Sequence, residues 1–371
     1  MKLLFITQKV DKDDDILGVY HRWIEELAKR VEKISVICLY RGRVELPDNV
    51  HIYSLGKEDN FQFPCLAGRQ AIFNFQSIFN FSIFKKIKYV VRFCRYLWKL
   101  RHDYDRVLVH MNPEYMVLGG LFWKICGKKP ILWYNHPMGD LKARIAIALA
   151  DKVLHTSPFA FAARYKKAEQ MPVGIDTGLF RRIPEIHRKP TSILYLGRIS
   201  PIKYIEILIG AAFILEKRGV DFVLTIAGEP SKESEIAYAD SIKKQAEPLV
   251  KKGKVMFTNG VPNYKTPELY NANAISVNMT PTGSFDKTII EAMACESLVV
   301  ASNKAVSDIL PESFRFREKD PDDLAKALEI AIALPEQESR KIGASLRNYV
   351  LGRHDLGTLI KRLVEKLGGG N

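Results

Sequence analysis

Two permanent cations, Arg198 and Lys203, stand five residues apart in "LYLGRISPIK", directly after an apolar, strand-like run. Arginine offers a bidentate fork and lysine a mobile point charge, so a diphosphate is the natural guest of such a pair. The plainer alternative is two solvated loop cations. A second run, "TPTGSFDKTIIEAMACE" (280–296), also leaves a strand and enters a helix from Thr288 onward. Free backbone N–H groups and the positive end of a helix dipole make that junction a second anion-binding element. Gly283 permits close approach of the backbone to a ligand. Glu291 lies a turn inside the helix, among Ile289, Ile290, Ala292, Met293 and Ala294. A carboxylate in so apolar an element is costly unless it is paired. It reads either as a glutamate at a wet edge or as an acceptor for the hydroxyls of a ribose.

The elements that must position these residues are legible as alternating patterns. "KLLFIT", "KISVICLY", "DRVLVHM", "KPILWYN" and "DKVLHTS" read as buried strands. "HRWIEELAKRVE" and "EYMVLGGLFWKICG" lie between them as helices. A break rich in Pro, Gly and charge covers 170–190, and the alternation then restarts. "TSILYLGR", "DFVLTIAGE", "KVMFTNG", "AISVNMTP" and "LVVASN" are the second set of strands. "IEILIGAAFILEKRG", "PELYNAN" and "PDDLAKALEIAIAL" are helices of the same half. This predicts an α/β chain of two Rossmann-like, parallel-sheet domains at 1–170 and 191–350, joined by a linker at 171–190. A C-terminal helix and tail at 351–371 is expected to cross back towards the first domain. Ligands in such sheets bind outside the carboxyl ends of the strands. No G-x-G-x-x-G follows the first strand and no G-x-x-x-x-G-K-[ST] occurs, which removes the main support for a dinucleotide or P-loop site.

At 371 residues the chain can bury two full cores. No apolar run reaches the ~20 residues of a membrane-spanning helix. "MKLLFIT" runs straight into "QKVDKDDD", so it reads as a first strand and not as a signal peptide. Five cysteines (Cys38, Cys65, Cys94, Cys126, Cys295) show no metal-type or redox-type spacing, as expected of reduced thiols in a cytoplasmic protein. The net charge of +14 is unevenly shared: residues 1–190 carry +13 and residues 191–371 carry +1. The first half is therefore suited to an anionic surface or ligand.

In order and spacing the chain resembles glycosyltransferase family 4, retaining enzymes of the GT-B fold, most specifically between Ile193 and Asn303. "LYLGRISPIK" looks like the family's strand, Gly-Arg turn and lysine, and "FDKTIIEAMACESLVVAS" like its donor-binding helix and following strand. "VGID" (173–176) resembles its linker motif, and "NGV" (259–261) the segment whose backbone faces the base. "LG" (17–18) looks like a reduced form of its N-terminal glycine loop. The resemblance implies two Rossmann-like domains facing each other across a donor/acceptor cleft. It implies that Gly197, Arg198 and Lys203 hold the diphosphate of a UDP- or GDP-sugar. Gly260 and Val261 would lie against the base, and Glu291 would bind the ribose. Gly283, Ser284, Phe285, Asp286, Lys287 and Thr288 would hold sugar and phosphates through backbone N–H groups. Gly18 would let the first domain close over the phosphates, and His136 would lie beside the transferred sugar. No metal or other cofactor is expected. Two departures stand out: Gly283 where the family often has a second glutamate, and Ser284-Phe285-Asp286 where it has Gly-Phe-Gly. The carboxylate–sugar contact is then absent or taken over by Asp286. Glu296 also stands where glycine is commoner.

The acceptor is suggested by residues 72–101. Phe73, Phe75, Phe79, Phe81 and Phe84 precede a helix with Ile83, Ile87, Val90, Cys94 and Leu97 on one stripe. From Ile83 to Arg101 there are seven basic residues and no acid. Aromatics beside a basic amphipathic helix suit an anionic leaflet, where each Lys or Arg contributes ~1 kcal/mol. A core helix with a solvated basic face is the alternative. The membrane reading favours a polyprenyl-linked acceptor on the inner face of the cell membrane, with His21, Arg22 and Trp23 as an acceptor-side cluster. The competing readings are a soluble acceptor, a catalytically silent scaffold and a nucleic-acid binder, for the last of which no recognition motif appears.

Overall fold

The structure, a computed structural model, describes residues 1–60, 75–283 and 285–368, of which residues 60 and 75–85 by backbone alone. The expectations placed on Ser284, on Cys65 and on the aromatic side chains from Phe73 to Phe84 lie outside what is described.

Continuous apolar runs form strands because each is buried on both faces. In β1 (Lys2–Val10), Leu3, Leu4, Phe5 and Ile6 are fully buried. With α1 (Val19–Ala28), β2 (Lys33–Arg41), β3 (Val50–Ser54), α2 (Phe75–Leu100), β4 (Arg106–His110), α3 (Pro113–Ile125), β5 (Lys129–Trp133), α4 (Leu141–Leu149), β6 (Lys152–His155) and β7 (Ala168–Gln170) it builds the first lobe. Its parallel sheet runs β3-β2-β1-β4-β5-β6-β7. The second lobe comprises β8 (Lys189–Leu196), α5 (Ile205–Lys217), β9 (Val223–Ala227), α6 (Ile236–Lys251), β10 (Val255–Thr258), α7 (Thr266–Ala272), β11 (Asn273–Asn278), α8 (Lys287–Ala294), β12 (Leu298–Ala301), α9 (Pro321–Ile332) and α10 (Glu336–Arg353). Its parallel sheet runs β10-β9-β8-β11-β12. Strand order reverses at β1/β4 in one sheet and at β8/β11 in the other, and loops from both points line one cleft.

Helices cover both faces of the first sheet. Phe93 and Leu97 of α2, Trp123 of α3 and Ala146 of α4 pack on one side with Leu4, Ile6 and Val109. On the other side α1 packs with α11 (Leu356–Lys366), whose Leu356, Leu359, Ile360 and Leu363 share a core with Leu3, Phe5, Trp23 and Leu27. The chain thus crosses between lobes twice, and the crossings are bonded together. Gly174 and Ile175 donate N–H bonds to the His354 carbonyl, and Leu356 donates to that of Ile175. Val173 N–H donates to His354 Nδ1 at 3.2 Å, and burial pushes that imidazole down to about 4.

On α2 the structure departs from the sequence expectation. The buried residues are Phe93, Leu97 and Leu100, while Ile87, Val90 and Cys94 of the expected stripe face outward. Among the described residues of α2 the buried ones lie from Phe93 onward, and the apolar Ile87, Val90 and Val91 before them are exposed. No helix among the described residues is long and apolar enough to cross a membrane.

Candidate functional site

The cleft between the lobes holds a cavity of about 530 Å³. From the second lobe it is lined by Gly197, Arg198 and Lys203 after β8, Gly260, Val261 and Asn263 after β10, and Phe285 to Thr288 with Glu291 at the head of α8. The first lobe contributes Asp15, Tyr20 and Trp23 around α1, Met111 after β4, and Asn135 and His136 after β5. The cations, the helix head and the carboxylate singled out in the sequence therefore meet at one place.

Each is held by partners the sequence did not reveal. Glu291 is buried, and its two oxygens accept from Asn263 Nδ2 and from the Tyr270 hydroxyl, both at 2.9 Å. Burial raises its pKa, against the pull of those two bonds. The paired glutamate is thus an oriented acceptor at the cleft wall. Asp286 caps α8 by accepting the Thr288 N–H at 3.2 Å. Its other oxygen pairs with the Lys203 ammonium and accepts from Thr280 Oγ1 (2.7 Å) and Asn278 Nδ2 (3.2 Å). Burial alone would raise this carboxyl; Lys203 and the hydroxyl and amide donors outweigh it and hold Asp286 well below the usual carboxylate range. Both Asp286 oxygens are engaged within the protein. Of the two sequence alternatives, transfer of a sugar contact to Asp286 therefore finds no free oxygen.

Arg198 reaches Ser231 Oγ with Nη1 (3.2 Å) and lies 3.7 Å from Glu235 through Nε. Lys287 extends from the first turn of α8 across the cleft to the first lobe. Its Nζ sits 3.6 Å from the Tyr20 ring centroid and 5.0 Å from that of Trp23. Burial pushes this amine down to about 7. Gly283 has φ +138°, and a Cβ there would meet Pro137 Cβ at 2.3 Å. Only glycine lets this loop approach the first lobe beside His136. His136 is exposed at the cleft mouth, bonded to Met138 through Nδ1.

The remaining expectations separate. Gly18 is packed on its own turn, with a Cβ placed 2.4 Å from the Asp14 carbonyl oxygen, and does not line the cleft. His21 faces away, its Nε2 accepting the Glu45 N–H at 3.0 Å. Arg22 is tied to Asp176, Glu25 and Glu26. Trp23 does line the cleft and donates Nε1–H to the Gly174 carbonyl at 3.0 Å. Helical spacing carries the signal: Tyr20 and Trp23, three apart, share a face that His21 and Arg22 do not. His110, which no sequence motif marks, is buried at the end of β4, its ring 4.2 Å from that of Tyr20. Among the described residues no group of three or more His, Cys, Asp or Glu side chains could hold a metal ion.

Comparison with known proteins gives this geometry a context. Residues 176–347 match the family Glycosyl transferases group 1. A curated relative, mannosylfructose-phosphate synthase of Agrobacterium fabrum, is 25% identical over 162 residues. The match covers 39% of this chain and 36% of that protein, so the chain spans about a third of the relative's length. Among solved structures, Anabaena HepE in complex with UDP and glucose superposes with a TM-score of 0.75 at 18% identity, covering 100% of both chains. Sucrose-phosphate synthase of Thermosynechococcus elongatus gives 0.74 at 18%, again over 100% of both. WaaG, a glycosyltransferase involved in lipopolysaccharide biosynthesis, gives 0.66 at 14%, over 99% of this chain and 100% of that one. At such identities the likeness is one of fold: this chain has the GT-B architecture of two Rossmann-like domains.

Proposed function

We propose that the protein is a retaining glycosyltransferase. It moves a sugar from a nucleotide-diphospho-sugar, UDP- or GDP-linked, to an acceptor hydroxyl on a polyprenyl-linked glycan at the membrane surface. The observation that carries this is the convergence of Arg198, Lys203, the head of α8 and Glu291 on one cleft at the facing switch points of two parallel sheets.

In this reading Glu291, oriented by Asn263 and Tyr270, accepts hydrogen bonds from the ribose hydroxyls, and the base lies against Gly260 and Val261. Charge accumulates on the diphosphate as the bond to the sugar breaks. Arg198, Lys203 and the N–H groups at the head of α8 stabilise it there, and transfer proceeds without a bound metal. The acceptor attacks from the face the diphosphate leaves, and a phosphate oxygen takes its proton, so configuration is retained. His136 orients the sugar at the cleft mouth.

A peripheral position on the cytoplasmic face of the membrane is supported by one side of the first lobe. Val91 (60% exposed) and Trp98 (63%) of α2, Leu121 (62%) and Ile125 (77%) of α3, and Leu141 (72%) of α4 are exposed apolar side chains on the helices that share this side. Lys86, Lys88, Arg95 and Lys99 of α2 are exposed among them. Apolar anchors within a basic field suit an anionic leaflet. A soluble phosphorylated acceptor is the second reading, favoured by the likeness to mannosylfructose-phosphate synthase and sucrose-phosphate synthase.

The test is a thermal-shift and turnover screen against UDP-, GDP-, ADP- and dTDP-sugars, with Glu291→Ala and Lys203→Ala alongside. A shift and hydrolysis with one nucleotide, lost in both variants, is expected. No response to any nucleotide sinks the reading and leaves a silent scaffold. Co-sedimentation with phosphatidylglycerol vesicles, lost in a Val91→Ser/Trp98→Ser variant, separates the membrane acceptor from the soluble one.

A further inference from the structure

Of the Lys and Arg side chains lining the cavity among the described residues, all but one are paired. Lys203 is held by Asp286, and Arg198 lies against Glu235 and Ser231. Lys287 is the third Lys or Arg lining the cavity among the described residues. Its Nζ is buried and makes no hydrogen bond. The Tyr20 and Trp23 rings attract the cation through their faces but offer no acceptor for its three N–H bonds. A second unmatched nitrogen adjoins the same Tyr20 ring: His110 Nε2 is buried without a partner.

A buried ammonium without an anion destabilises the protein that carries it. A methionine or leucine would fill the space beside Tyr20 and Trp23 at no such penalty. The lysine is also the first residue of α8, whose first turn, with the Thr288 N–H already capped by Asp286, lines the same cavity. A buried lysine Nζ with no acceptor, near but not bonded to Glu291 and Asp286 and at the positive end of a helix dipole on one wall of an open cavity, forms a site that an anion would complete. The adjacent Asp286 has the opposite effect, since it neutralises Lys203. The pair Asp286-Lys287 therefore moves the free positive charge of the cleft from the second lobe's interior to its boundary with the first lobe.

We propose that Lys287 is a further anion-receiving group of this cleft, beside Arg198 and Lys203, and takes a phosphate of the ligand, carried either by the donor diphosphate or by the acceptor. The inference rests on the glycosyltransferase reading only for the source of that phosphate.

The experiment is calorimetric titration of wild type, Lys287→Met and Lys287→Arg with UDP, with GDP, and with inorganic phosphate in the presence and absence of saturating nucleotide. Removing a charge-assisted contact should weaken the phosphate-bearing ligand by about tenfold or more, and the arginine variant should retain most of the affinity. The thermal midpoint of ligand-free Lys287→Met should equal or exceed that of wild type. A loss confined to UDP or GDP assigns the phosphate to the donor. Unchanged nucleotide affinity with loss of inorganic phosphate from the nucleotide-saturated protein assigns it to the acceptor. If wild type binds no nucleotide but loses phosphate binding on Lys287→Met, the glycosyltransferase reading fails and the subsite stands. Equal affinities of wild type and Lys287→Met for every probe, or no phosphate-bearing ligand bound by wild type, overturn the inference. Should Lys287→Met not fold, Lys287→Gln carries the same comparison.

Discussion

Asp286→Asn separates charge from shape at the centre of the cleft. Asparagine caps a helix about as well as aspartate, so the bond to the Thr288 N–H at the head of α8 survives. What disappears is the carboxylate facing Lys203, in a pair whose side chains are 13% and 19% exposed. Removing one partner of a buried ion pair costs about 3–5 kcal/mol. Residual solvent contact and the retained Thr280 and Asn278 neighbours reduce this to about 2–3 kcal/mol. The variant should accordingly unfold at lower urea. Nucleoside diphosphate should bind it about tenfold more tightly, since the released ammonium then takes its anion from the ligand; tenfold corresponds to about 1.4 kcal/mol. A cycle with Lys203→Met should return a coupling of about 2 kcal/mol. Protonation sets the acid limit. The folded pKa of Asp286 lies below its unfolded value, so its contribution is complete above the ordinary carboxylate range. It declines as pH falls from the ordinary carboxylate value towards the lower folded value, and the gap between wild type and variant should close completely only in strong acid. A coupling below about 0.5 kcal/mol would refute the pairing. A fall in nucleotide affinity would instead place Asp286 among the ligand's own contacts.

Three further outcomes follow from the same geometry. Glu291→Ala leaves the buried donors of Asn263 and Tyr270 unmatched; a loss of about 2–4 kcal/mol in urea denaturation is expected, together with at least tenfold weaker nucleotide binding by calorimetry. Lys287 in the folded protein gives up its proton at about 7 against 10.5 for the free side chain, so wild type gains up to about 1.4 kcal/mol per pH unit as pH rises through that window. The advantage of Lys287→Met in thermal midpoint should therefore shrink between pH 7 and pH 10, and a constant gap would contradict the burial of the amine. His354 is depressed to about 4 from 6.5, so the unfolded chain takes its proton first and stability declines as pH falls from 6.5 towards 4. His354→Asn should flatten that limb of the pH–stability curve.

Local pattern made most of the fold and half of the cleft readable. Strands such as β1 and β4 announce themselves because a parallel sheet covered by helices on both sides admits only apolar residues. The edge strand β3, half-exposed along much of its length, and the three-residue β7 carry no such run. Nor does α6, whose "SIKKQAEPLVK" is largely polar and contains Pro248. At the cleft, the Gly-Arg turn with its lysine and the helix carrying Glu291 are each contained in one short segment. The pairings that give them meaning are not. Lys203 and Asp286 are 83 residues apart, and Glu291 finds Asn263 and Tyr270 on an earlier loop and helix. Only the folded chain could show that Asp286 is occupied and that Lys287 is not.

The docking of α11 against α1 sets an order of events during synthesis. The first sheet, α1 and the rest of its lobe leave the ribosome early, yet the surface formed by Leu3, Phe5, Trp23 and Leu27 is covered only when Leu356 to Leu363 emerge. At ribosomal rates that interval is on the order of tens of seconds. Until then the nascent first lobe presents an apolar groove of the composition that α11 requires. Nor is the first lobe one continuous piece of chain. Cutting between the lobes removes α11 from the lobe whose core it completes, so the halves of the cleft are committed to one another before any ligand arrives.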